Sequence, residues 1–191
     1  MAQQLRYLYK KGERFAYTTT VHTVAQDPGS ETRGRKTETL DFTWRNEIEV
    51  TEATDELYTF RLVVSGQIGS PPRTCTFSHD PTGNPRSEPD DVEQYQRPIR
   101  LPAGPVEVGD TWTEGGLELT LESFETVGSD TIAIIKADCE LDLKGPEAEG
   151  TAVSTTRFSI GTGRAVDSKG LTFISFEGGR TVKTTADSRL E

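Results

Sequence analysis

His22, His79, Cys75 and Cys139 are the only soft metal ligands in this chain of 191 residues, and zinc accepts two thiolates with two imidazoles. Their spacing argues against a shared ion. Only Cys75 and His79 are close in sequence, and on one strand they would share a face yet stand about 13 Å apart, at about 3.3 Å per residue. Cys139 is therefore expected as a small core residue, His79 as a turn residue, and no metal is expected. Two cysteines do not make a disulfide framework in so long a chain, although a single bridge between them stays open.

Nucleophilic hydrolysis needs a Ser or Cys with a base and an orienting acid. The chain has no Gly-x-Ser-x-Gly run, and its one adjacent His–acid pair, His79-Asp80, would point to opposite faces of a strand. Glu88, Asp90, Asp91 and Glu93 lack the spaced oxygen ligands of a calcium loop and read as a solvated charge run. Gly161-Thr162-Gly163-Arg164 has the glycines of a phosphate cradle but no helix after it, so it reads as a hairpin turn. The expectation is a non-catalytic protein without a cofactor.

Two features remain that could bind something. Arg33, Arg35 and Lys36 form a small basic loop patch able to touch an acidic protein partner. Phe42, Trp44, Tyr58 and Phe60, with Phe15 and Tyr17, give the first half a large aromatic surface, and the second half sets against it the smaller Ala133, Ala137, Cys139, Ala152, Ser154 and Thr156. Large facing small makes either a closely packed core or the wall of an apolar cavity, and the pattern alone leaves both open.

The elements that must position these residues are strands. Arg14 to Val24 is dense in aromatic and β-branched residues, and Leu5, Tyr7 and Tyr9 alternate ahead of it across a turn at Lys11-Gly12-Glu13. In Thr37 to Val50, Leu40, Phe42, Trp44, Ile48 and Val50 share a face that only Asn46 breaks; Tyr58, Phe60, Leu62 and Val64 repeat the pattern. Thr74 to His79 is a further strand, and Asp80 to Pro85 a turn. Pro85 to Tyr95 reads as a surface excursion with one helical turn at Asp90 to Tyr95. In the second half, strands are expected at Leu117 to Glu122, Thr131 to Leu143, Thr151 to Ile160, Arg164 to Asp167, Leu171 to Phe176 and Arg180 to Thr185, with breaks at Ser168-Lys169-Gly170 and Gly178-Gly179 and a frayed tail from Asp187. About ten strands joined by short hairpins imply antiparallel meanders. The fold class expected is all-β, a curved antiparallel sheet forming an open or half barrel, with a β-sandwich as the alternative.

Totals agree with this. Only 32% of residues are hydrophobic, which suits strands that spend alternate positions on solvent. With 31 acidic and 21 basic side chains the net charge is −10, a surface that repels phosphate backbones and anionic headgroups, so nucleic acid is not expected as a partner. No apolar run is long enough for a spanning helix, and no membrane insertion is expected. Met1-Ala2-Gln3-Gln4-Leu5-Arg6 lacks the pattern of a secretory signal; the chain as written is expected in the cytoplasm, and outside it if the Met was added to a mature form.

Pro98, Pro102 and Pro105 stiffen the connection 97–108, which divides a single all-β domain into halves 1–96 and 109–191. The halves echo one another. Lys11-Gly12-Glu13-Arg14-Phe15 and Val108-Gly109-Asp110-Thr111-Trp112 share a glycine, an acid, a spacer and an aromatic, and Phe77-Ser78 before Thr82-Gly83 is matched by Phe158-Ser159 before Thr162-Gly163; coincidence remains open as the account. Leu101-Pro102 with Pro105 to Trp112, followed by Phe158 to Arg164 and the turn containing Ser168, resembles uncharacterised bacterial β-rich proteins, many carried as envelope lipoproteins. Those are similar to the open half-barrels of the lipoprotein-localisation and carrier group. The resemblance implies an open barrel whose concave face can take acyl chains, and it carries over no catalytic residue; this chain departs from it in lacking a signal segment and a lipid-bearing cysteine near its start. The functions expected are a non-catalytic accessory protein holding a partner protein through loops or strand edges or, as alternatives, a carrier or sensor of an apolar, lipid-like ligand, and last a hydrolase-type enzyme.

Overall fold

The computed structural model describes residues 2–28, 37–66, 71–87, 98–114, 116–141, 143 and 148–191. Arg33, Arg35, Lys36 and the stretch from Asp90 to Tyr95 lie outside the described residues. Eleven strands are present: β1 (Arg14–Gln26), β2 (Thr37–Ala53), β3 (Tyr58–Ser65), β4 (Arg73–His79), β5 (Pro85–Ser87), β6 (Thr111–Glu114), β7 (Leu117–Val127), β8 (Asp130–Leu141), β9 (Ala148–Ser159), β10 (Arg164–Phe176) and β11 (Thr181–Leu190). They form one sheet in the order β5-β4-β3-β2-β1-β11-β10-β9-β8-β7-β6. Every ladder is antiparallel, and the curved sheet does not close, because β5 and β6 are free edges. Among the described residues there is no helix, and none long and apolar enough to cross a membrane.

The topology is two meanders joined back to back. β1 starts at the centre, and β2 to β5 step outward to one edge. The chain crosses to the other edge and returns through β6 to β10, and β11 pairs with both β10 and β1. Alternation then decides which side chains face inward. Phe15, Tyr17 and Thr19 of β1 stand opposite Ile48, Asn46 and Trp44 of β2, and Phe60 and Leu62 of β3 stand opposite Phe77 and Cys75 of β4.

An open sheet needs cover for its concave side. Residues 2–10 supply it as a strap crossing one end, with Leu5 and Tyr7 inside the core formed by Tyr58, Phe60, Leu62, Leu121, Ile135 and Phe158. The alternation of Leu5, Tyr7 and Tyr9 suggests a strand, but the strap makes only the isolated Gln3–Val106 bridge. Its other backbone bonds reach turns: Tyr7 N donates to Pro81 O at 2.7 Å and Leu8 N to Gly163 O at 3.3 Å. Among the described residues it pairs with no named strand.

Two further expectations are corrected. Ser168-Lys169-Gly170 does not break the chain; it lies inside β10, where Ser168 pairs with Thr156 on one side and Ser188 on the other, the irregularity falling earlier, between Ala165 and Asp167. The tail from Asp187 is not frayed. It is the end of β11, held on both flanks, with Ser188 buried.

The glycine turns before β1 and β6 make the same set of backbone bonds. Gly12 N donates to Val50 O, Glu13 N to Lys10 O and Val50 N to Glu13 O; likewise Gly109 N donates to Leu121 O, Asp110 N to Glu107 O and Leu121 N to Asp110 O. Register slips follow Val50 on β2 and Leu121 on β7. At the other pair of turns, each half receives the incoming chain of the other. A Cβ on Gly83 would lie 2.5 Å from Ile99 O, and one on Gly163 would lie 2.4 Å from Leu8 N. Both glycines have positive φ, 86° and 62°. Gly163→Ala adds a backbone clash to the torsional cost and is expected to destabilise by about 3 kcal/mol or more. Gly109→Ala, with open space around its Cβ, is expected to cost only about 1–2 kcal/mol. Urea unfolding of the two variants side by side checks this.

Candidate functional site

Beneath the strap lies a cavity of about 180 Å³. Its aromatic wall is built by Tyr7 and Tyr9 of the strap, Phe15 and Tyr17 of β1, Phe60 of β3 and Phe77 of β4. Ser154 and Thr156 of β9 with Ala165 and Ser168 of β10 form the opposite wall, and Pro98 and Ile99 lie at its rim. The cavity exists because small side chains from the second half face large rings from the first across the curve of the sheet. Asn46, the residue that breaks the apolar face of β2, is one of its polar liners and is only 1% exposed.

The rings are ordered. Tyr7 and Tyr9 stack at 5.9 Å and 8°, and Tyr9 and Phe15 at 5.6 Å and 9°, so three rings present nearly parallel planes. Arg164 sits over this row, its guanidinium carbon 4.7 Å from the Phe15 centroid and 5.4 Å from that of Tyr9, and is ion-paired with Glu13. Burial works against the Glu13 carboxylate, but the bonds from Arg164 and the Lys10 amide outweigh it and hold its pKa below the ordinary value.

Several polar atoms around the cavity are engaged with each other. Tyr7 Oη donates to Ile99 O at 3.2 Å, Tyr17 Oη donates to Ala165 O at 2.8 Å, and the Thr156 and Ser168 hydroxyls meet at 3.1 Å. Burial pushes the Tyr17 phenol well above its usual pKa, so it stays a neutral donor.

His79 is the least expected member. It is not a solvated turn residue: it closes β4 with 2% exposure, against the rings of Phe60 at 4.9 Å, Tyr7 at 5.0 Å, Tyr9 at 5.9 Å and Tyr58 at 6.0 Å. Its Nδ1 lies 2.7 Å from Asp80 O. A carbonyl only accepts, so the proton is on Nδ1 and Nε2 keeps its lone pair. Burial pushes the imidazole pKa down, against the weaker opposing pull of Asp80. Asp80 in turn caps its own loop, accepting from Thr82 N, Thr82 Oγ1 and Asn84 Nδ2.

The four aromatic residues named from the sequence do not form one site. Phe60 lines the cavity; Tyr58 is buried beside it and donates to Tyr7 O at 3.2 Å. Phe42 and Trp44 stack on each other at 5.4 Å farther along β2, away from the cavity lining. Cys75 and Cys139 are free thiols, and among the described residues no group of three or more His, Cys, Asp or Glu side chains gathers as a metal site. In comparisons with known proteins, no family model and no curated protein matches the chain.

The buried imidazole makes stability depend on pH. With its pKa lowered in the folded state, His79 binds its proton more readily once unfolded, so stability is full above the unfolded value of about 6.5 and falls as pH drops below it. Around it stand the phenols of Tyr7, Tyr9 and Tyr58 and the carboxylate of Asp80, and Asp80, with its pKa lowered, loses its contribution only below about 4. Unfolding free energies from urea titrations between pH 7 and 5 are expected to fall with a slope of up to about 1.4 kcal/mol per pH unit, and His79→Phe to flatten that slope.

Proposed function

We propose that this chain is a non-catalytic binding protein that holds a small apolar molecule inside the concave face of its sheet, as a carrier or sensor. The observation that carries this reading is the cavity of about 180 Å³ between an aromatic wall and a wall of small side chains. Ligand sites are typically concave, mostly apolar and furnished with a few polar groups, and this cavity has that make-up. The strap supports the reading too, because its Tyr7 and Tyr9 rings cover the site while few backbone bonds fasten it. The half-barrels that the sequence resembles use the same face for apolar cargo.

The reading of a protein partner rests on a different surface. Leu171 and Phe173 stand on the same face of β10, 40% and 43% exposed. The free sheet edges favour it less: β5 and β6 are three and four residues long, and β5 begins with a proline, which limits strand addition.

Native mass spectrometry of the purified protein, with organic extraction on denaturation, tests the proposal. The expected result is an apolar molecule of defined mass that is retained by the wild-type chain and lost from Ser168→Phe, whose added ring fills the cavity from β10. A wild-type protein that carries no molecule, and takes none from a mixture of apolar small molecules, overturns it.

A further inference from the structure

The cavity selects more than apolarity. Its volume of about 180 Å³ is close to that of an engineered apolar cavity of about 150 Å³ that takes benzene, so it suits one or two rings and not a long chain. The parallel row of Tyr7, Tyr9 and Phe15 favours a planar guest, which can lie along those faces or meet them edge-on.

Polarity singles out one atom. Tyr7 and Tyr17 give their hydroxyl protons to backbone carbonyls, and the Thr156 and Ser168 hydroxyls share one hydrogen bond, in which one donates and the other, accepting, can still donate or accept. Ser154 and Asn46, which also line the cavity, each carry both a donor and an acceptor, so neither selects for a guest that donates. His79 differs. Its ring is 98% buried by exposure, it lines the cavity, and its Nδ1 is committed to Asp80 O. Its Nε2 makes no hydrogen bond to a described residue. An acceptor that no protein group engages can receive the donor that a guest brings.

We propose that the cavity is a site for a planar aromatic molecule of one or two rings that carries one hydrogen-bond donor, a phenol or an indole, whose O–H or N–H is received by His79 Nε2. This rests on the reading of the chain as a binder of small apolar molecules and narrows it to a chemical class. The Tyr and Phe rings supply the apolar contact, and His79 sets the orientation of the guest.

Phenol and toluene test it, since they differ by a hydroxyl in place of a methyl. Calorimetric titration of the intact chain is expected to show phenol binding at least as tightly as toluene, although toluene is the more apolar. In His79→Phe toluene binding persists and phenol weakens about tenfold or more, the loss that follows when a buried donor is left unpaired. The nitrogen resonance of His79 Nε2 in the wild-type chain should move with phenol and stay in place with toluene, which tests the contact even if the variant fails to fold. If toluene binds more tightly than phenol and the Nε2 resonance does not respond, the inference is overturned while the apolar-ligand reading stands. If neither compound binds, both fall.

Discussion

A sheet that curves without closing has a concave face that water must not reach, and in this chain the contact of Leu5, Tyr7 and Tyr9 with β3, β4 and β9 meets that requirement. Leu5 is fully buried and Tyr7 nearly so. Tyr7 touches Phe158 from the second half and His79 from the first, so the strap is the point where the two meanders share a core. The cavity is a by-product of the same arrangement. Rings of the strap cannot fill the space against Ser154, Thr156 and Ser168, because those side chains are too short to reach them.

The polar content of the interior follows from the topology. Thr19 and Ser188, and Thr156 and Ser168, hydrogen-bond in cross-strand pairs beside the β1–β11–β10–β9 ladders, so each pair at the centre of the sheet places one hydroxyl proton without water. His79 lies at the end of β4, where the chain turns into the Asp80 loop, and there, among the described residues, a carbonyl is available for Nδ1 but no second group for Nε2. Position at a strand end therefore gives the ring one committed nitrogen and one open one. Burial among aromatic rings keeps it neutral, which is the state in which Nε2 can accept.

Much of the fold was legible because apolar alternation marks inward faces. Ile48 and Val50, Tyr58 to Val64 and the run through Ile135 and Ala137 fall in strands with the expected sides inward, whereas Leu40, at the far end of β2, is 52% exposed. What escaped had no such mark. β11 turns Val182, Thr184, Ala186 and Ser188 toward the interior, and small or polar residues packed against each other leave no hydrophobic period to read. Ser168-Lys169-Gly170 looks like turn chemistry, yet the site of Gly170 is flanked on both sides and the ladder continues through it. The strap shows the converse error, since alternation in Leu5, Tyr7 and Tyr9 reports burial but not pairing. The cavity could be guessed as a contrast of large and small walls, but which rings border it depends on distances across the sheet; Trp44 shares a face with Ile48 and is still outside the lining. Nothing local in His79-Asp80 announces a buried imidazole, because most of the rings that bury it come from two other segments, the strap and β3.

β11 lies between β1 and β10, and its pairing with β1 joins Tyr17 to Leu190. β1 to β5 form by neighbouring hairpins, and so do β6 to β10, but the seam between them waits for the last strand to arrive. Loop closure over so long a stretch is slow compared with hairpin formation. During synthesis the free edge of β1 is exposed from the moment its own meander forms until the final strand emerges. Unpaired edges are where nascent β proteins associate wrongly. The strand that reads as the least distinctive in composition is thus the one on which the kinetics of assembly turn.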